Sequence, residues 1–526
     1  MMGNSFRQSM AWLHTWAGLV TGWVLFFIFV TGTLGYFYVE IDRWMRPELP
    51  LASSPPSLTE ATARADTYLR RMAPDADFWM IRLPNGRQDT ALEVAWGSGS
   101  LYGRNREQRI FDPLADAFRP VVPARETGGG YALYRMHWKL HYFPQQIGVL
   151  LVGVCTMIML VALLAGIVTH KKIFSDFFTF RPRKGQRSWL DMHNLLSVTA
   201  LPFFLMITFS GLVFYMESYV PAAIDANFRD TREYWEELEP QREASRSGEA
   251  GTMLPLTHFQ TAAARYWETG TADMIAVHHP GDANAEVMLV HDGGGTILRN
   301  VTEKLHFSAR DGRLLRQETA RSSGPREVRS ALFGLHEGIF AGWTLRWLYF
   351  VSGLLGCGMI ATGLILWTVK RRKKQAASET FGFRLVDCLN IGTLAGLPVG
   401  IAAYFWANRL LPIDMPGRSA WEVHCLFIGW GLMLLWASIR PPGRAWIELL
   451  SLGAGAYGLL PLLNLLTTDR HLGISLPTGD WALAGFDLLA LATGVCLAAT
   501  AAWLGCRENG QVRATCAGQV GKEASV

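Results

Sequence analysis

Apolar and polar stretches alternate along this chain in blocks long enough to matter to a bilayer. Hydrophobic runs occupy about 12–38, 146–169, 190–216, 345–369, 385–407, 421–439, 444–466 and 481–504. Each holds roughly the 20 mostly apolar residues that a helix needs to cross a hydrocarbon core. Two long polar segments, 41–145 and 219–335, interrupt the first four runs, and within them the period changes. Ser57-Leu-Thr-Glu opens a helix through about Met72 with the look of a capping box. Strand-like pieces follow at Phe78–Leu83 and Ala91–Trp96, and Arg109-Ile-Phe-Asp-Pro enters a turn. The second segment repeats the order: a helix from Thr257 to Trp267, strands at Met274–His278 and Glu286–His291, then strand, turn and strand from Leu305 to Leu315.

The pattern predicts an all-α polytopic membrane protein of about eight transmembrane helices in duplicated two-span units, with two small α+β modules outside the bilayer. The expected segments are helix one in 1–40, module one in 41–145 and helices two and three in 146–218. Module two follows in 219–335, helix four in 336–374, a four-helix extension in 375–506 and a tail in 507–526.

The duplication carries histidines. Trp12-Leu13-His14 leads to Thr31-Gly32 and Tyr36, and Trp189-Leu190 leads through His193 to Ser210-Gly211 and Tyr215. His14 to Gly32 and His193 to Gly211 are both 18 residues; His14 to Tyr36 and His193 to Tyr215 are both 22. Leu140-His141 precedes the second span as Leu335-His336 precedes the fourth. Four histidines at the ends of four apolar helices suggest paired axial ligands for haem b, two per chain. A pseudo-twofold axis along the membrane normal pairs repeat equivalents, His14 with His193 near one edge of the core and His141 with His336 near the other. His141 to His170 is 29 residues, about 43 Å if helical throughout, so the two levels sit near opposite edges. Gly32, Gly211, Gly166 and Gly363 leave room for flat macrocycles or for close helix packing.

Other readings stay open. Histidines at helix ends also bond to headgroups or water, although ionisable groups in a membrane are functional candidates by default. His137 shares a helix face with His141 and competes with it as ligand. His170 reads as interfacial, and His424 and His471 have no repeat partner. Arg346 and Arg135 can neutralise haem propionates or simply snorkel. His278, His279 and His306 read as module surface.

Charge sets topology rather than partners. The net charge of +5 is small and its basic residues cluster at span ends, which argues against nucleic-acid binding. Lys171, Lys172, Arg181, Arg183, Lys184 and Arg187 face a lone Asp176 between spans two and three. Lys370-Arg371-Arg372-Lys373-Lys374 follows span four, and Arg440 and Arg444 flank the turn after span six. All three loops fall on one side, which places them and both termini in the cytoplasm and the modules in the periplasm of a bacterial inner membrane. The first span, Leu19 to Tyr38, shows no small-residue cleavage site and reads as a retained helix.

The seven cysteines form no Cys-x-x-Cys, so c-type haem attachment and a thiolate zinc site are not expected. Gly453-Ala-Gly455-Ala-Tyr-Gly458 matches a dinucleotide fingerprint but lies inside an apolar span, which predicts helix packing instead. No Walker motif and no flavin or nicotinamide module is visible, so electrons come from a separate donor, a quinol or a cytoplasmic reductase.

The order and repetition of these motifs resemble the PepSY-associated transmembrane family of iron-regulated inner-membrane proteins and ferric-siderophore reductases. The likeness covers about residues 8–373. It rests on the Trp-Leu-His start, the Thr/Ser-Gly of spans one and three, the turns at Asp112-Pro113 and Asp311-Gly312, and Leu-His before spans two and four. It implies reduction of a periplasmic ferric chelate such as a ferric siderophore. A permease for a siderophore or small solute is the runner-up, weakened because most ionisable residues lie at the span edges and Pro202 is the one clear interior break in the first four spans. A non-catalytic module protein leaves the histidines unexplained.

Overall fold

A computed structural model describes residues 5–523 except 50–55, 85–86, 88–90, 100, 102–105, 114, 121–123, 171–178, 183, 231–232, 234–244, 268–270, 292–295, 300–301, 319–323 and 376–379. The topological roles expected of Lys171, Lys172, Asp176 and Arg183 lie outside the described residues, as do the side chains of Lys373, Lys374 and Cys516. The chain divides into two compact units. One comprises Met1–Leu49, Ala124–Ser218 and Trp343–Val526; the other comprises Pro50–Pro123 and Tyr219–Gly342.

The described helices of eight residues or more, in chain order, begin with α1 (Phe6–Gly35), α2 (Tyr38–Met45), α3 (Leu58–Met72) and α4 (Gly129–Lys139). Then come α5 (Gln145–Thr169), α6 (Gln186–Thr199), α7 (Leu201–Phe214), α8 (Leu256–Ala263) and α9 (Gly324–Glu337). The last are α10 (Trp343–Gln375), α11 (Phe381–Leu394), α12 (Gly396–Leu410), α13 (Arg418–Ile439), α14 (Pro442–Gly458), α15 (Leu460–Thr467) and α16 (Trp481–Glu523). Seven helical stretches of the first unit are long and apolar enough to cross a membrane, and α6 with α7 makes an eighth if that bent pair is one span. The pair bends by 67°. Pro202 lies in the first turn of α7, where the missing N–H and the ring end the α6 helix rather than continue it. The chain flanking the second unit is helical too. Residues 41–49 and 124–145, expected within module one, contain the end of α2 and all of α4, which pack on each other and on α1. The last helix continues to Glu523, through the stretch expected as a tail.

The extension is built around α11 and α12. In that span 72 % of the apolar window is buried, against 22 % for α13, so it is the centre and α13 faces outward. Its polar residues are buried with it. Asn390 accepts from Trp23 Nε1 on α1 (2.8 Å) and donates to the Leu364 carbonyl on α10 (3.2 Å). At the far end of α12, Arg418 pairs with Glu422, both with fully buried side chains. Glu422 also accepts from Asn408 Nδ2 (2.8 Å) and from the Gly128 N–H (3.0 Å). The Asn408 carbonyl, an orphan at a helix C-terminus, takes Arg125 Nη1 (2.7 Å) and Arg418 Nη2. Arg409 stacks over Trp44, and Trp44 donates to Asp487 on α16 (2.9 Å). With no water to substitute, each of these groups needs its partner. The network fastens the extension to α2 and to the chain before α4.

The second unit is one eight-stranded antiparallel sheet. Its strands are β1 (Phe78–Arg82), β2 (Glu93–Gly97), β3 (Arg106–Asp112), β4 (Ala117–Pro120), β5 (Met274–His278), β6 (Glu286–His291), β7 (Glu303–Ser308) and β8 (Leu314–Glu318). The order is β4-β3-β2-β1-β5-β6-β7-β8. The two polar segments therefore do not form separate sheets. They join through β1 and β5, paired from Phe78↔His278 to Arg82↔Met274. Each module would otherwise expose that strand as an unpaired edge, and the join removes both edges at once. Trp79, Ile81, Val94, Ile275, Val277, Leu289 and Phe307 form the core with Leu69 of α3 and Phe259 of α8. Gly312 takes φ +73°, the left-handed position its turn requires.

Two outcomes test this architecture. Arg418→Met strands Glu422 as a buried unpaired charge, a loss of about 3–5 kcal/mol. Thermal unfolding in detergent should show a large fall in Tm, partly restored by adding Glu422→Gln. In the sheet unit, Asp282 accepts from the Ser247 hydroxyl (2.6 Å) and from the amides of Asn284 (2.8 Å), Ser247 (3.0 Å) and Gly248 (2.8 Å), which hold its carboxyl well below the usual range. A depressed folded pKa stabilises above the unfolded value of about 3.9 and is lost as pH falls through the folded one. Asp282→Asn should thus lower Tm fully at pH 7, with the gap to wild type closing below about pH 4.

Candidate functional site

His14 on α1 and His193 on α6 face each other with ring centres 6.2 Å apart and planes at 63°. Each ring is held in the same way. Nδ1 of His14 donates to the Ala162 carbonyl on α5 (2.8 Å), and Nδ1 of His193 donates to the Met359 carbonyl on α10 (2.9 Å). A carbonyl only accepts, so the proton sits on Nδ1 and the lone pair on Nε2. Among the described residues neither Nε2 makes a hydrogen bond. A glycine lies four residues beyond each accepting carbonyl. A Cβ on Gly166 would stand 3.2 Å from His14 Cε1, and one on Gly363 would stand 3.2 Å from His193 Cε1. The four glycines that the sequence offered as room for a macrocycle or for helix contact thus include the seats of these two imidazoles.

A third histidine repeats the arrangement. His137, in the last turn of α4, donates from Nδ1 to the Ile28 carbonyl on α1 (2.8 Å), and Gly32 follows four residues later. A Cβ there would fall 2.5 Å from His137 Nδ1. His141 lies beyond α4 in the turn before α5, its ring stacked on Phe427 at 5.9 Å. The alignment on Leu-His favoured His141, whereas the seat shared with His14 and His193 belongs to His137. His336 occupies the last turn of α9, as His137 does in α4.

His14 and His193 both line a cavity of about 390 Å³ with largely apolar walls from α1, α5, α6 and α10. His170 and Asn194 line it and bond to each other, Asn194 Nδ2 to His170 Nε2 (3.0 Å). Two imidazoles on opposite walls are too few to hold a bare ion. Among the described residues no three His, Cys, Asp or Glu side chains gather at one point. Two opposed nitrogens do suit a metal whose other positions are already filled by a macrocycle. Metal–imidazole bonds of about 2 Å on each side place the ring centres about 6 Å apart. The residues present therefore fit a haem, which His14 and His193 would hold.

The remaining candidates have structural partners. Arg346 is buried in the first turn of α10, 3.7 Å from Glu40 and over the Trp343 ring. Arg135 lies over Tyr131. His424 bonds to the Tyr142 hydroxyl (2.7 Å), and His471 caps a short helix by accepting from the Gly473 amide (3.1 Å). His306 is buried between Glu286 and Glu318 on the sheet. The Gly453–Gly458 run packs helices: a Cβ on Gly494 of α16 would stand 2.9 Å from the Gly458 nitrogen and 3.0 Å from the Ala454 carbonyl. Sequence reasoning passed over the Arg418/Glu422 pair, whose i,i+4 spacing at a span start was the available signal. It also read Lys370 and Arg371 only as topology markers, although both line the cavity.

The seats differ in tolerance. Gly32→Ala overpacks His137 and should cost about 1–3 kcal/mol. Gly166→Ala meets a milder contact and gains up to about 1 kcal/mol of helix propensity. Thermal unfolding should rank Gly32→Ala clearly below Gly166→Ala, which stays near wild type.

A family model described as the PepSY-associated TM region matches residues 11–370. An uncharacterized protein of Pseudomonas aeruginosa is 25 % identical over 369 residues, covering 68 % of this chain and 89 % of its own length. The match stops at the end of α10, so the extension lies outside it. With two thirds of its length matched, the chain belongs to the PepSY-associated TM region family.

Proposed function

We propose that this protein is an inner-membrane haem b oxidoreductase that carries electrons across the bilayer to a periplasmic ferric chelate, such as a ferric siderophore, and so releases its iron. The observation that carries the reading is the facing pair His14 and His193, each with its proton fixed on Nδ1. His14 and His193 would hold the first haem through their Nε2 lone pairs. For a second haem the reading takes His137, in its glycine seat, as a ligand in place of His141. Bound haem supplies one-electron chemistry that no side chain here provides.

The protein's own contribution is orientation and exclusion of water. The Ala162 and Met359 carbonyls lock the imidazole tautomer and fix the ring orientation, the usual outer-shell support of a ligating histidine. The apolar walls keep water from the space between the rings. Electrons enter from a quinol or a cytoplasmic reductase, and one electron converts one Fe(III) to Fe(II), which hard oxygen donors hold less tightly. The basic residues of the loops support a cytoplasmic position for the His14 and His193 level.

One observation favours the runner-up, a siderophore or small-solute permease: the 67° break within the α6–α7 span, since transport sites often lie at broken helices. A reduced-minus-oxidised spectrum with a pyridine haemochrome count separates the two. The expected result is two b-type haems per chain. His14→Ala and His193→Ala should each remove the same one, His137→Ala the other, and His141→Ala neither. Colourless protein from haem-replete cells would sink the oxidoreductase reading in favour of the permease.

A further inference from the structure

The cavity between His14 and His193 is not apolar at every point. Lys370 and Arg371, at the end of the membrane-spanning stretch of α10, line it. Arg372, the next residue, is spent on Asp387 at 2.8 Å. Among the described residues neither Lys370 nor Arg371 forms an ion pair. Arg371 is nonetheless held in place. Its guanidinium lies over the Trp367 ring at 4.0 Å and near the Trp16 ring at 5.7 Å, and its Nη1 reaches the Trp367 carbonyl (3.4 Å). An arginine clamped by indoles loses less freedom when an acid docks on it than one moving in water. Unpaired cations lining an apolar chamber raise its affinity for anions and cost stability while it is empty.

Two imidazoles with ring centres 6.2 Å apart line the chamber, its walls are largely apolar, and two cations without an ion pair among the described residues lie at the helix end that lines it. We infer that Lys370 and Arg371 are the acid-recognition subsite of this chamber. They bind the carboxylates of an amphiphilic, dianionic macrocycle and set which of its edges points to the aqueous side. This rests on the haem reading and adds to it the orientation of the cofactor and the residues that select for a free acid. The roles of Lys370 and Arg371 in topology and in binding are compatible, because both place positive charge at the same edge.

The test compares haem b with its dimethyl ester, which keeps the iron and the ring but carries no carboxylate. Full-length protein is stripped of cofactor in detergent and titrated with each, and binding is read from the Soret band. Wild type should bind the free acid at least ten-fold more tightly than the ester. In Lys370→Ala/Arg371→Ala the free acid should lose at least ten-fold and the ester little, so that the preference disappears. His193→Ala should weaken both ligands alike and leave the preference standing. Equal affinity of wild type for acid and ester, or a preference that survives the double substitution, overturns the inference while leaving the haem reading intact. Failure of wild type to bind either compound overturns the haem reading itself.

Discussion

A histidine inside a bilayer has one nitrogen too many. As a neutral ring it must donate one hydrogen and present one lone pair, and hydrocarbon offers neither partner. This fold answers with the backbone of the neighbouring helix. The carbonyls of Ala162, Met359 and Ile28 each accept from an Nδ1, and Gly166, Gly363 and Gly32 let the ring come close enough. A helix carbonyl already serves its own i+4 amide, so the imidazole shares it and can approach only where no side chain stands in the way. That single requirement fixes which helices are neighbours. α1 lies against α5 and α4, and α6 against α10, and these are among the extensive helix contacts of the first unit.

The extension solves a different problem with the same scarcity of partners. Its central span is more enclosed than any helix of the duplicated part, and it buries Asn390, Asn408, Arg409 and Glu422. A buried ion pair adds little net stability over an apolar pair, but it penalises every arrangement in which one member is left alone. Arg418, Glu422, Arg125 and Asn408 therefore specify one way of docking these four spans more than they strengthen it. The aromatic contacts of Phe27 with Trp430, and of Trp44 with Phe486, supply apolar surface around the same seam.

Much of this was legible in the chain, and the limits have physical causes. Spans were visible because twenty apolar residues have no other common use, and the facing of His14 and His193 followed from equal spacing in two repeats. The choice between His137 and His141 was not legible. It depends on which residue lies in the last helical turn before the chain reverses, and helix ends are the least determined feature of a sequence. Leu140 takes φ +57° there, a left-handed conformation that Leu rarely adopts and that no pattern announces. The joined sheet was hidden for another reason. Each half shows proper strand periodicity, yet the pairing of β1 with β5 is a contact between distant segments, to which local pattern is blind. The spare cations were in plain view but had an adequate explanation already, which is how a second role escapes notice.

The shared sheet also bears on how the chain is made. Met80 and Ala276 are paired neighbours at the centre of that sheet, yet 276 − 80 = 196 residues separate them in order of synthesis. At about 5–20 residues per second, β1 waits on the order of 10–40 s for its partner strand. During that interval the ribosome delivers the second and third spans, and an apolar strand edge stands open to any other chain nearby. Completion of the sheet therefore waits on the synthesis of two apolar spans, and a factor that shields extended strands would help this protein most at that moment.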